Sequence, residues 1–187
     1  METASILGYA LLGLLQQKPQ SGYDLRKIFA ATPMSAFSDS PGAIYPALRR
    51  LEERGLVRSQ VQERAGLRRR RLYRPTAAGV AEFKAWQTQE TTREDIVRRS
   101  EELMLRFAFM DDTLGPEQTL EFLKGFAGQL EGYVPSLREW RGAHEGEMKL
   151  SGRLALESGI QGYETLLRWA RKAIAMYEGE KKEGRKS

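Results

Sequence analysis

The side chains with the most evident chemistry are arginines. Between positions 49 and 74 stand ten of them against three glutamates, so this window carries net +7 in a chain whose overall net charge is +5. Positions 68–71 are four arginines in a row: Arg68, Arg69, Arg70 and Arg71. A guanidinium is a permanent cation whose forked donors match phosphate oxygens. If these residues lie on a strand, neighbours point to opposite faces, and two of the four can face one partner. The chemistry this implies is polyanion binding. Catalytic and metal chemistry have little to work with. His144 is the single histidine and there is no cysteine, while zinc asks for three or four such ligands. No serine or acid pairs with His144 in a catalytic pattern, and no glycine-rich phosphate loop is present. Neither an enzyme nor a cofactor is expected.

The elements around the arginines tell how they would be aimed. Ser40-Pro41 reads as an N-cap followed by proline at the first helical position. In the helix that follows, Ile44, Ala47, Leu48 and Leu51 fall on one side, and Gly42, Tyr45, Pro46 and Arg49 on the other, both at i, i+3, i+4, i+7. One side is core and the other is free to enter a groove. Arg49 is expected at a phosphate or a guanine, and Tyr45 at a phosphate or a thymine methyl. Arg50 joins them, and Gly42 would let the helix N-terminus approach a phosphate. Pro46 removes one helical donor, so a local distortion is expected there. The helix turns at Arg54-Gly55, and two weakly alternating runs, 56–61 and 67–73, bracket a turn at Ala65-Gly66. These read as a hairpin with the arginines on its second strand; Tyr73 at that strand's end and Ser40 at the start of the preceding helix are counted with them as expected contacts to the anionic partner. Upstream, a first helix over 3–17 places Leu7, Ala10, Leu11 and Leu14 on one face. Ser21 caps a second helix, 22–31, whose Ser21, Tyr23 and Lys27 are placed to touch a flanking phosphate. Residues 32–38 read as a loop, and Thr76 caps a fourth helix, 77–91, burying Val80, Phe83 and Trp86.

The second half is read as wholly helical: a helix over 96–110, a long one opened by Gly115-Pro116 and kinked at Pro135, a looser glycine-containing stretch, and a last helix. Two seams at alternating spacings of three and four run along the long helices, Leu120 to Leu137 and Leu156 to Tyr177, and want helical partners. Charge is uneven, with net +5 over residues 1–95 and zero over 96–187. An anionic partner is therefore expected at the first half only. The predicted organisation is a DNA-binding domain at 1–92, a helical dimerisation and effector region at 93–178, and a disordered charged tail at 179–187. With 41% apolar and 29% charged residues the composition is that of a soluble globular protein. The apolar run at 6–15 is too short to span a bilayer and lacks a signal peptide's positive flank, so no membrane role and a cytoplasmic location are expected. Trp86, Trp140 and Trp169 could wall a pocket for a flat apolar ligand. Ordinary packing is the competing reading of the same residues.

Four stretches together resemble the PadR family of bacterial transcriptional regulators: YALLGLL from Tyr9, SGYDLRK from Ser21, GAIYPALRRLEERGLV from Gly42 and RLYRPTAAG from Arg71. They occur in the family's order and cover the first half of the chain. The chain departs from the family at Ser38, at Gly66-Leu67-Arg68 on the hairpin turn and at Pro75. The resemblance implies a mainly α fold with a small β-hairpin: an N-terminal winged helix-turn-helix followed by a C-terminal α-helical dimerisation region. It also implies a homodimeric repressor of double-stranded DNA, released by an aromatic or lipophilic small-molecule effector. A protein-interaction adaptor, with a helical half that binds a partner helix, is the alternative reading.

Overall fold

A computed structural model describes residues 4–38, 40–64 and 67–184. The chain divides into two compact units at Gln89/Glu90. In the first, α1 (Ile6–Gln17) leads through the two-residue strand β1 (Gln20–Ser21) to α2 (Gly22–Ala31), a short 3-10 turn and α3 (Pro41–Glu53). The hairpin β2 (Val57–Arg64) and β3 (Leu67–Pro75) and the helix α4 (Ala77–Gln87) complete it. The sheet is antiparallel in the order β1-β3-β2. This is a winged helix-turn-helix, with β2–β3 as the wing, and the fold class is the one the sequence implies.

Local chemistry accounts for the boundaries. Ser21 and Asp24 form a reciprocal capping box at α2: the Ser21 hydroxyl accepts from the Asp24 N–H, and the Asp24 carboxylate accepts from the Ser21 N–H. Ser40 accepts from the Gly42 N–H, with Pro41 at the first helical position of α3. That helix ends as it does because Gly55 takes φ +69°. Its N–H then bonds the Glu52 carbonyl while the Leu56 N–H reaches Leu51, the paired bonds of a glycine C-terminus. Helix α3 runs unbroken through Pro46. Gly42 and Pro46 both lie on its exposed side, where the carbonyl deprived of a donor meets water, so the expected distortion does not interrupt it.

Helix α1 is buried all round, not along one face, with Tyr9, Leu12 and Leu15 as deep as Leu7, Leu11 and Leu14. It packs against α3, α4 and β3, and Leu25, Phe29, Ile44, Leu48 and Phe83 are buried in the same unit. Val80 is only half-buried, residues 88–91 lie beyond the end of α4, and residues 33–36 form the 3-10 turn rather than a loop.

The second unit is helical throughout the described residues. The predicted helix at 96–110 is instead three pieces, α5 (Arg93–Arg98), α6 (Ser100–Ala108) and α7 (Met110–Thr113), broken at Arg99 and Phe109. Two long helices follow, α8 (Pro116–His144) and α9 (Leu150–Gly184). The former passes through the exposed Pro135 without interruption. The two predicted seams pair with each other: Leu123, Phe126 and Leu130 of α8 share one core with Ala170, Tyr163, Leu167 and Ile174 of α9. Residues 179–184, expected to be disordered, continue α9. Lys181 reaches back to Glu117 at 2.8 Å, giving this charged segment a partner.

Candidate nucleic-acid interface

Three arginines of the basic region line one concavity of about 630 Å³ in the first unit. It is lined by Ser21, Gly22 and Tyr23 at the start of α2, Tyr45 on α3, and Arg69, Arg70, Arg71 and Tyr73 on β3. Seven of these eight residues are ones the sequence marks for contact with an anion; Gly22 is the addition. Strand register explains the gathering. Gln20 and Ser21 pair with Tyr73 and Leu72, which fixes the N-terminus of α2 beside the arginine strand.

Within the site the residues take different parts. Tyr23 and Tyr45 are each 46% exposed, so their rings are available to a partner. Lys27 holds its ammonium 4.8 Å from the Tyr23 ring centre, a cation–π pair. The Tyr45 ring lies against Gly22, where any Cβ would fall 2.5 Å from a ring carbon. Tyr73, expected as a contact, is buried and forms the floor; burial pushes its hydroxyl pKa up. Ser21 is buried too, and its hydroxyl donates to Asp24 at 2.6 Å, so it shapes the helix end rather than presenting a free donor. Arg49 stands on the same side of α3 as Tyr45, with its side chain 81% exposed and paired to Glu53 at 2.8 Å. Gly42 and Ser40 are exposed at the helix start. Arg50 is exposed on a different flank, lining a separate hollow with Ala4, Ser5 and Gly8 of the α1 start. The Arg68 side chain and the Ala65-Gly66 turn lie outside the described residues.

Two acidic residues in the site had no assigned role in the sequence reading. Asp24 lies 3.9 Å from Arg70. Glu52 accepts from Arg71 at 2.6 Å and from the Ser59 hydroxyl at 2.6 Å, while the Arg71 Nε–H donates to Ser59 at 2.7 Å. The available signals were the Ser-x-x-Asp spacing at 21–24 and the position of Glu52 seven residues after Tyr45, two turns along the same face.

Both carboxylates are acidified. The Ser21 hydroxyl bond, outweighing burial, lowers the Asp24 pKa, helped by its backbone bond and Arg70. The Ser59 hydroxyl bond and then Arg71 do the same for Glu52. In the second unit burial works to raise Asp95, and the Thr92 capping bonds and Arg99 overcome it, leaving that carboxyl lowered as well. A carboxylate with a depressed folded-state pKa contributes stability above its unfolded pKa and loses it as pH falls through the folded value. Stability is therefore expected to hold on the neutral side and to fall below roughly pH 4, the ordinary carboxylate value. Chemical denaturation from pH 7 down to acid checks this. Glu52→Gln should flatten the acid limb of the curve, since one of the linked protons is removed.

The three tryptophans occupy three environments. Trp86 is buried in the first unit, stacked on Tyr9 with centroids 4.3 Å apart. Trp169 stands edge-on to Phe107 and Phe126 in the core of the second unit. Trp140 is half exposed and stacked on His144. Among the described residues no cluster of three or more His, Asp or Glu side chains could hold a metal ion, and no helix is long and apolar enough to cross a membrane.

Residues 11–85 match the model of the transcriptional regulator PadR-like family, and residues 99–178 match the model described as virulence activator alpha C-term. The negative transcriptional regulator PadR of Bacillus subtilis is 25% identical over 162 residues, covering 87% of this chain and 86% of that protein. A crystal structure of Bacillus subtilis PadR in complex with operator DNA is similar over 92% of this chain and 99% of the other, at 19% identity and a TM-score of 0.44. Another, in complex with p-coumaric acid, is similar over 93% and 99%, at 19% identity and a TM-score of 0.41.

Proposed function

The chain belongs to the PadR-like family of transcriptional regulators, and from that premise we propose that it binds double-stranded DNA as a homodimer and represses transcription from the site it covers. Helix α3 enters the major groove with Tyr45 and Arg49 toward base edges, while the wing and the α2 start hold phosphates. The observation that carries this is the gathering of Tyr23, Tyr45, Arg69 and Arg70 around one open hollow on the most basic part of the chain. Repression follows the negative regulator that the chain is similar to over most of its length.

Dimerisation is assigned to the second unit. Leu150 and Leu154 of α9 are 62% and 59% exposed, with Met176 and Trp140 likewise open, although the main seam of α9 is already occupied by α8. These leftover apolar side chains support a second copy as their cover. An aromatic or lipophilic effector would act through this unit by binding one spacing of the two DNA-reading heads better than another. The protein works without catalysis, in the cytoplasm.

The test is a binding titration against a duplex enriched from a random-sequence pool, run with light scattering on the free protein. Affinity should fall steeply with salt, with a log–log slope of about −0.9 per phosphate neutralised, and should favour the enriched duplex over a scrambled one. A monomer in solution, or a salt-insensitive response without sequence preference, would overturn the reading.

A further inference from the structure

Glu52 sits on the face of α3 that also presents Tyr45 and Arg49, at i, i+4 and i+7. A carboxylate on a surface meant for polyanion repels its partner unless it does something else. Its two oxygens are both engaged: Oε1 by the Ser59 hydroxyl of β2 and Oε2 by the Arg71 guanidinium of β3. Arg71 closes the triangle by donating its Nε–H to Ser59. The same guanidinium lies 5.4 Å from the centre of the Tyr73 ring, on the floor of the hollow. Three elements thus meet at one charge-assisted knot, at the root of the wing and beside the reading face of the helix. Such bonds are about twice as strong as neutral ones and strongly directional.

We infer that Glu52 is a positioning residue, which holds Arg71 away from phosphate and thereby fixes the angle between wing and α3 that lets the two read one DNA site together. This rests on the DNA-binding reading above. Arg71 is then the wing arginine that does not touch DNA. Arg69, two residues before it on the same face of the strand, is the one the fixed wing delivers, while Arg70 lines the hollow 3.9 Å from Asp24 at the start of α2. The arrangement exchanges non-specific attraction for register. An Arg71 released from Glu52 would find phosphate on any duplex, and a wing released from α3 would fit the correct duplex less well.

The consequence has a sign that simple electrostatics does not share. Glu52→Gln removes a negative charge from a DNA-facing surface, so charge alone predicts tighter binding to every duplex. The latch predicts weaker binding to the enriched duplex and equal or tighter binding to the scrambled one, so that their ratio falls about tenfold, as for the loss of a coupled contact. On the scrambled duplex the log–log salt slope should steepen by about 0.9, one phosphate gained by Arg71. Ser59→Ala breaks the triangle without changing charge. It should lower the ratio in the same direction with the scrambled-duplex slope unchanged, and it carries the test if Glu52→Gln fails to fold. Equal tightening on both duplexes by Glu52→Gln, or an unchanged ratio in Ser59→Ala, would overturn the latch while leaving DNA binding intact. If the wild-type protein enriches no duplex at all, the DNA-binding reading fails and the latch falls with it.

Discussion

Replacing Gly79 with alanine is expected to destabilise the first unit by about 3 kcal/mol, the upper part of the range for forced overpacking. A Cβ built at Gly79 would lie 1.9 Å from the Leu56 carbonyl oxygen and 2.9 Å from its carbon. The obstacle is backbone, so no rotamer change relieves it. Nor can the carbonyl turn aside cheaply, because it accepts from the Thr76 N–H at 3.0 Å and from the Thr76 hydroxyl at 3.3 Å. Thr76 is itself the N-cap of α4 and accepts from the Gly79 N–H at 3.1 Å. The close approach therefore locks three things together: the entry to the wing, the end of β3 and the start of α4. For a unit of this size the expected loss corresponds to a melting temperature lower by on the order of 15 °C. Trp86 is the only tryptophan in the unit, so its fluorescence in a Trp140→Phe, Trp169→Phe background follows this melt alone. Gly42→Ala serves as the control. Its Cβ meets nothing nearer than the Ser40 hydroxyl at 3.4 Å. A Gly79→Ala protein that melts with the parent would mean the α4 start can slide on β2, and the tight junction would lose its role.

The role of Gly79 is not legible in the sequence. A glycine two residues inside a helix looks like a weak propensity choice. Its purpose depends on where the chain returns after the wing, and that is a tertiary fact. Other parts were legible because they are decided locally. The caps at Ser21, Ser40 and Thr76, and the glycine stop at 55, need only their immediate neighbours, and all four stand where spacing put them. The two faces of α3 follow from periodicity, and Ile44, Ala47, Leu48 and Leu51 are indeed its buried side. Periodicity misled for α1, because a helix covered on every side needs no polar face and Leu12 and Leu15 were simply surplus to the pattern. It misled again at 96–110, where an apolar repeat continues across Arg99 and Phe109 although the backbone does not. For the last residues of α9, charge and glycine content argued for disorder, yet Tyr177, just upstream, donates to Asp111 at 2.6 Å and Lys181 pairs with Glu117. Cross-helix partners of this kind are invisible in a window of sequence.

The candidate interface divides along the same line. That arginines and tyrosines would gather was readable from composition and order. Which of them are spoken for was not, because the answer lies in strand register. Val61 pairs with Arg71 and Ser59 with Tyr73, and only this alignment brings Ser59, Arg71 and Glu52 within bonding distance. A shift of one residue would turn Arg71 to the other face and send Arg70 toward the helix. The acids of the site are thus the part of the reading that sequence order alone could not supply, and they decide how many of its cations are left for DNA.

Arg49→Ala is expected to cost about 1–3 kcal/mol of discrimination between the enriched duplex and its single-base variants, while leaving the fold almost untouched. The energetic comparison favours contact with a base. In the free protein the Arg49 guanidinium is tied, among the described residues, to Glu53 four residues along the same helix, and both side chains are largely exposed. An exposed pair of that type contributes about 0.3–0.5 kcal/mol, so giving it up is a small fraction of what a bidentate base contact returns. Thermal melting should therefore shift little, whereas the ratio of enriched to mismatched binding drops by roughly five- to 150-fold, the same 1–3 kcal/mol expressed as a ratio. The loss should be concentrated at one base position. Arg69→Ala supplies the contrast, as a wing residue assigned to phosphate: it should weaken all duplexes alike and reduce the magnitude of the salt slope by about 0.9. If Arg49→Ala behaves as Arg69→Ala is expected to, weakening every duplex by one factor with a shallower slope, then Arg49 is a phosphate anchor. Tyr45, one turn earlier on the same face, would then be left as the base-reading residue of α3.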